Sequence, residues 1–176
     1  MNIRPARIED VPRLRELGIV GWETTYADFV LPHNRQAYLE GHFWSTARLS
    51  AIVGDADALA LVAELDGHAL GFLTLEPTED RQVELTRLYV DPEARRGGIG
   101  KQLLNQARDA ARDSGATEML VNVFADNQIG RAFYEREGFR LLRLEPTQVG
   151  DQQVGDAWYV LALGSGAELS ERQSDT

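Results

Sequence analysis

Hydrophobic positions along this chain recur with two periods, and the places where one period gives way to the other mark its elements. Ile3 to Arg7 reads as a short first strand. Asp10 then stands as an N-cap with Pro12 in the first turn, and Val11, Leu14, Leu17 and Val20 form a helical stripe. From Trp22 to Val53 the pattern stays helical but is interrupted at Pro32 and Gly41. Ala58 to Glu64 and Ala69 to Leu75 are strand-like and flank Asp66-Gly67, a two-residue hairpin signal. Val83 to Val90 is a third long strand, ended by Asp91-Pro92. A helix with Ile99, Leu103, Ala107 and Ala110 on one face follows and stops near Ser114-Gly115. Met119 to Phe124 is short and apolar, as a buried parallel strand should be. Asp126 or Asn127 caps the next helix, with Ile129, Ala132 and Phe133 turned inward and Gly138 closing it. Phe139 to Leu144 and Trp158 to Leu163 then pair as a terminal hairpin through a long polar connection.

This order predicts an α/β chain with a mixed sheet and helices on both of its faces. Residues 1–163 are expected to form one domain, and the polar, non-periodic residues 164–176 a disordered tail.

Composition narrows the chemistry. The 176 residues contain no cysteine, which removes disulfides, thiolate metal sites and any acyl-cysteine intermediate. His33, His42 and His68 lack ligand spacing, so no metal is expected. A net charge of −10 argues against nucleic acid as a partner and suits a cationic one. No run approaches the roughly 18 apolar residues of a membrane span, and no signal-peptide core opens the chain. The expectation is a cytoplasmic protein that binds neither membrane nor nucleic acid.

Between the third strand and its helix stands Arg95-Arg96-Gly97-Gly98-Ile99-Gly100-Lys101. Three glycines among cationic residues, at a helix N-terminus, let backbone N–H groups crowd one anion such as a diphosphate. The spacing rejects two common phosphate loops. A P-loop would need glycine at Arg95 and a hydroxyl residue at Gln102; a dinucleotide fingerprint begun at Gly98 would need glycine at Leu103. The pattern [QR]-x-x-G-x-[GA] does fit, from Arg95 to Gly100. A second pattern, N-x-x-A-x-x-[FLI]-Y followed by Gly-Phe, matches Asn127 to Tyr134 and Gly138-Phe139, with Gly130 in place of the usual alanine. With these two motifs in this order, the chain from Ile3 to Leu163 resembles the Gcn5-related N-acetyltransferases (GNAT).

The resemblance implies an acyl-CoA N-acyltransferase fold whose sheet splays between the strands ending at Val90 and Phe124. It implies that the main chain of Leu88, Tyr89 and Val90 holds the pantetheine arm of acetyl-CoA, and that Arg95, Arg96, Gly97, Gly98, Ile99, Gly100 and Lys101 hold its diphosphate. Asn127 would contact the coenzyme, and Tyr134 would lie beside its sulfur. The implied reaction is direct transfer of acetyl to an amine. For an amine of pKa about 10.4, presenting the neutral form at pH 7 costs about 4.6 kcal/mol, so a base is needed. Tyr134 is the candidate acid toward the departing thiolate. Glu84 is the candidate base; a period of two puts it on the face of Thr86, Leu88 and Val90, unless a bulge swaps faces. A main-chain N–H near Tyr89 or Val90, worth about 3 kcal/mol at a developing oxyanion, would orient the acetyl carbonyl.

For the acceptor, Glu23-Thr24-Thr25-Tyr26, Ala37-Tyr38-Leu39-Glu40, Phe43 and Val149-Gly150-Asp151-Gln152 resemble bacterial spermidine/spermine acetyltransferases of the PaiA type. That likeness makes Glu23, Tyr26 and Tyr38 substrate contacts, with Asp28, Glu40, Asp151 and Asp156 as further acids and Trp22 as a further ring. A polyamine is the leading acceptor, ahead of a protein or peptide amine, an amino acid or an aminated antibiotic. A non-catalytic acetyl-CoA sensor is the alternative of another class. Among partners, only the small amine and a second copy in a homodimer are entertained.

Overall fold

The computed structural model describes residues 1–95 and 97–164. Arg96, expected in the anion cradle, and residues 165–176 of the expected tail lie outside the described residues. Seven strands form one sheet: β1 (Asn2–Pro5), β2 (Leu59–Leu65), β3 (His68–Pro77), β4 (Gln82–Val90), β5 (Glu118–Phe124), β6 (Arg140–Val149) and β7 (Gln152–Ala162). Their spatial order is β1-β2-β3-β4-β5-β7-β6, and only β4 and β5 run parallel.

Five α-helices cover the sheet: α1 (Val11–Tyr26), α2 (Pro32–Glu40), α3 (Thr46–Gly54), α4 (Ile99–Asp113) and α5 (Gln128–Arg136). α4 and α5 pack on one face, where Leu103, Leu104, Ala107 and Tyr134 join Leu73, Leu85, Val121 and Tyr159. α1, α2 and the residues leading to α3 pack on the other, where Leu14, Trp22, Tyr26 and Trp44 join Val62 and Phe72. The two cores lie on opposite faces of the sheet.

Local departures from the sequence pattern have physical reasons. Asp10 stands at the N-cap position of α1, but its side chain makes no capping bond: the carboxylate accepts from the Arg7 amide at 2.7 Å and pairs with Arg4, which also holds Glu64 of β2. Val20 is exposed; the buried stripe of α1 runs instead through Gly18, Gly21 and Trp22, where small residues let the helix approach its neighbours. On α4 Ile99, Leu103 and Ala107 face inward as expected, joined by Leu104 and by Ala111 in place of half-buried Ala110. Ile129 is 87% exposed, since α5 turns Tyr134 inward instead. The terminal hairpin is longer than the apolar runs suggested. Its strands extend to Val149 and Gln152 and join at a tight Gly150-Asp151 turn, because their outer halves are half-polar and escape a hydrophobicity reading.

Candidate active site

The sheet opens in its middle. β4 and β5 are paired from Gln82–Glu118 to Leu85–Val121 and then diverge. Beyond that point β4 stays bonded to β3 as far as Val90, and β5 to β7 as far as Phe124. Leu88, Tyr89 and Val90 therefore line one side of a gap and Asn122 to Phe124 the other, each with a backbone edge turned toward it.

The glycine loop stands at the end of this gap. Gly98 is the N-cap of α4 at φ +75°, a left-handed conformation that a side chain with a Cβ adopts only with strain. No side chain among the described residues caps the helix, and α4 is fifteen residues long, so its first-turn N–H groups and dipole have no side-chain partner among those residues. Among the described residues other than its chain neighbours, the one atom within 4 Å of a Cβ added at Gly98 is Nε2 of Gln102, at 3.8 Å. Gly97, Gly98 and Lys101 are exposed, and so is Arg95, whose Nε points back to the Val90 carbonyl at 3.5 Å. An open nest of amides flanked by cations, next to a strand edge without a partner strand, fits a diphosphate with an extended arm. Among the described residues no group of His, Asp and Glu is arranged to hold a metal ion.

Four tyrosines converge at the gap. Tyr134 reaches it from α5 and is buried, its ring edge-on to Phe133 and Phe139 at 5.2 and 5.3 Å. Burial, and secondarily the nearby Tyr26, push its hydroxyl well above the ordinary tyrosine range, so it is firmly protonated. From the other face come Tyr26 and Tyr38, both raised by burial, Tyr38 to about 12. Tyr89 of β4 is raised by burial as well. Asn127 caps α5 by accepting from the Gly130 amide at 2.9 Å, and its Nδ2 donates to the Tyr26 hydroxyl at 3.2 Å. The departure at Gly130 is explained here: a Cβ would sit 2.5 Å from Nδ2 of Asn127, so the glycine makes room for the carboxamide that links the two helices.

The period-of-two placement of Glu84 is corrected by a bulge. Thr74 pairs with Arg87 but Leu75 with Leu85, leaving Thr86 as an extra residue in β4. Leu88 and Val90 accordingly turn to the α4 core, while Tyr89 packs on the α1 side. Glu84 alternates with Leu85, which belongs to the α4 core, so it shares the α1 face with Tyr89. It is half-buried opposite Leu120, just inside the point where the strands part. Burial first and Glu76 second raise its carboxyl above the usual range. Glu76 holds the bulge, accepting from the Thr86 hydroxyl at 2.9 Å and pairing with Arg48 and, at 3.6 Å, with buried Arg87. No sequence signal marked this knot, whose members lie on three separate elements.

The acids read as an acceptor slot separate in space. Glu23 and Glu40 are exposed and line a groove of about 360 Å³ between α1 and α2, with Arg15 and Arg35. Asp28 is exposed. Asp151 is exposed too, bonded to His33 at 2.9 Å and Asn34 at 2.8 Å, which hold its carboxyl below the usual range. Asp156 alone of the five is buried. Trp22 stacks on Tyr38 at 4.8 Å and tilts against Tyr26 at 4.9 Å, and Phe124 lies 5.0 Å from Tyr26. These rings form a wall beside the gap.

With the geometry in place, comparison with known proteins is direct. Residues 22–139 match the model of the acetyltransferase (GNAT) family. Over 144 residues the chain is 31% identical to a spermidine N(1)-acetyltransferase of Thermoplasma acidophilum, covering 80% of this chain and 89% of that protein. The crystal structure of a PaiA N-acetyltransferase from Thermoplasma acidophilum in complex with coenzyme A is similar at a TM-score of 0.75 and 29% identity, covering 88% of this chain and 96% of that one. The ribosomal-protein-S18-alanine N-acetyltransferase of Escherichia coli shares the fold, at a TM-score of 0.71 and 19% identity over 94% of this chain and 95% of that one.

Proposed function

The chain belongs to the GNAT acetyltransferase family and is an acetyl-CoA-dependent N-acetyltransferase, and on that premise we propose that its acceptor is a polyamine such as spermidine or spermine. The observation that carries this reading is the aromatic cluster beside the opened sheet, in which half-buried Tyr38 and Phe124 flank buried Trp22 and Tyr26. Rings of this kind cover methylene segments and hold ammonium groups over their faces. The similarity to a spermidine acetyltransferase supports the same conclusion.

Acetyl-CoA, when bound, supplies the acetyl group as a thioester, which a neutral amine attacks and a thiol leaves. The chain's own residues divide the remaining work. The amides of Gly98 to Lys101, with Arg95, hold the diphosphate, and the free edge of β4 from Leu88 to Val90 aligns the arm. Tyr134 keeps its proton to high pH in a dry setting, as an acid for a departing thiolate must. Glu84 accepts a proton from the amine; its raised carboxyl brings its basicity closer to that of the group it serves. Asn127 keeps Tyr26 and the start of α5 in register across the gap.

A thiol-release assay tests the acceptor directly, with acetyl-CoA against spermidine, spermine, diamines, amino acids and short peptides. Spermidine and spermine are expected to give the highest kcat/KM. Preference for a peptide α-amine or a neutral amine would replace the polyamine reading.

A further inference from the structure

Asp156 occupies an unusual position. It sits on β7 directly opposite Phe124 of β5 and Glu145 of β6. Cross-strand partners share a face, so its carboxyl lies on the side of Phe124, Tyr26 and the aromatic wall. The residue is only 9% exposed, and its Oδ1 has no hydrogen-bond partner among the described residues. Burial first raises its carboxyl above the usual aspartate range and Glu145 adds like charge, while the side chains of Asn122 and Thr147, within hydrogen-bonding reach of the carboxyl, pull the other way. Glu145 itself is engaged by Arg143 at 3.0 Å and by the Trp158 indole at 2.7 Å, so neither donor is free for Asp156. Arg131, the cation of the neighbouring helix, is spent on the Tyr159 hydroxyl and the Ala125 carbonyl.

A carboxylate without a cation or a full set of donors is costly inside a protein, and native structures rarely leave one so. No described residue supplies Oδ1 with a partner, and a cation from outside the chain would. An alkylammonium approaching past the half-buried Tyr38 and Phe124 carries both the charge and the N–H donors that Oδ1 lacks. Exposed Glu23, Glu40 and Asp28 cannot serve as well, because water screens them.

We infer that Asp156 is the specificity-determining anchor of the acceptor site, receiving an ammonium group of the amine substrate on its unpartnered Oδ1. The inference rests on the polyamine reading only for which amine is used first in its test. It assigns the choice of a cationic acceptor to β7 rather than to the acids of α1 and α2.

The test compares parent, D156N and D156E for KM of spermidine and KM of acetyl-CoA at pH 7.5, with circular dichroism to verify folding. Asn should raise the spermidine KM by roughly 10- to 100-fold, as expected for loss of a charge-assisted hydrogen bond. The acetyl-CoA KM should stay within about twofold, and Glu should recover part of the loss. A spermidine KM equal to the parent's in D156N overturns the inference while leaving the polyamine reading intact. If the parent ignores spermidine but acetylates a peptide α-amine, the polyamine reading falls. The same KM comparison with that peptide then decides Asp156: a rise supports the anchor, no change refutes it. Should D156N not fold, D156S is read by the same criteria.

Discussion

At Tyr134 a single hydroxyl has its chemistry set by its surroundings. The residue was legible in the sequence through its motif, but the depth of burial that holds its proton was not, since that depends on Phe133, Phe139 and the converging Tyr26. Tyr134→Phe keeps the ring packing and deletes only the O–H. We expect kcat to fall by roughly 100-fold, the lower end for general acid catalysis, with the acetyl-CoA KM nearly unchanged. Steady-state kinetics would show this, and an unaltered kcat would remove the acid role. Asp156 illustrates the converse: the sequence left it in the polar connection before Trp158 as one of several acids, and only its place in β7, in register with Phe124, says what it faces.

Elements decide where such residues act. The loop before α4 could be read as an anion cradle because glycine spacing and a helix start are both local features. Its test is Gly98→Glu, which puts a Cβ at φ +75° and a carboxylate into the nest. Calorimetry should find acetyl-CoA binding weakened at least about 100-fold, and normal affinity would contradict the cradle. β4 is different, because one bulged residue reverses every face beyond it. Glu84 must be ionised to act as a base, so activity rises as pH climbs through its pKa. With that pKa raised by burial and by Glu76, the acid limb of kcat/KM should lie above the ordinary glutamate value of about 4.3. Glu84→Gln should lower kcat/KM and abolish that limb; a profile identical to the parent's would dismiss the role.

Across the whole molecule, the opened sheet depends on ties between layers. Glu76 of β3 binds Thr86 in the bulge, Arg48 of α3 and Arg87 of β4, whose guanidinium also donates to the Phe43 carbonyl and lies 3.8 Å from the Phe43 ring centre. Burial lowers the pKa of Arg87, yet it still needs a counter-charge. Removing one partner of a buried pair leaves the other uncompensated. Glu76→Ala should therefore destabilise the fold by about 3 kcal/mol, discounted to about 2 for the partial exposure of Arg48. At this chain length that is roughly a 4–8 °C fall in Tm by calorimetry. Because the bulge loosens as well, kcat should drop at temperatures where the variant is still folded.

What the sequence alone determined is what short-range physics controls: strand and helix periods, the Asp66-Gly67 turn, a helix capped at Asp126 or Asn127, and a glycine-rich, cationic helix start recognisable from seven consecutive residues. These interactions span a few positions, so their pattern survives in one dimension. Only the tertiary structure decided which face Glu84 presents, which of five acids is buried, how Tyr26 and Asn127 meet across about a hundred residues of chain, and that Asp156 stands opposite Phe124. Each of those outcomes follows from strand register and layer packing, where a shift of one residue exchanges core for solvent and no local composition records the choice.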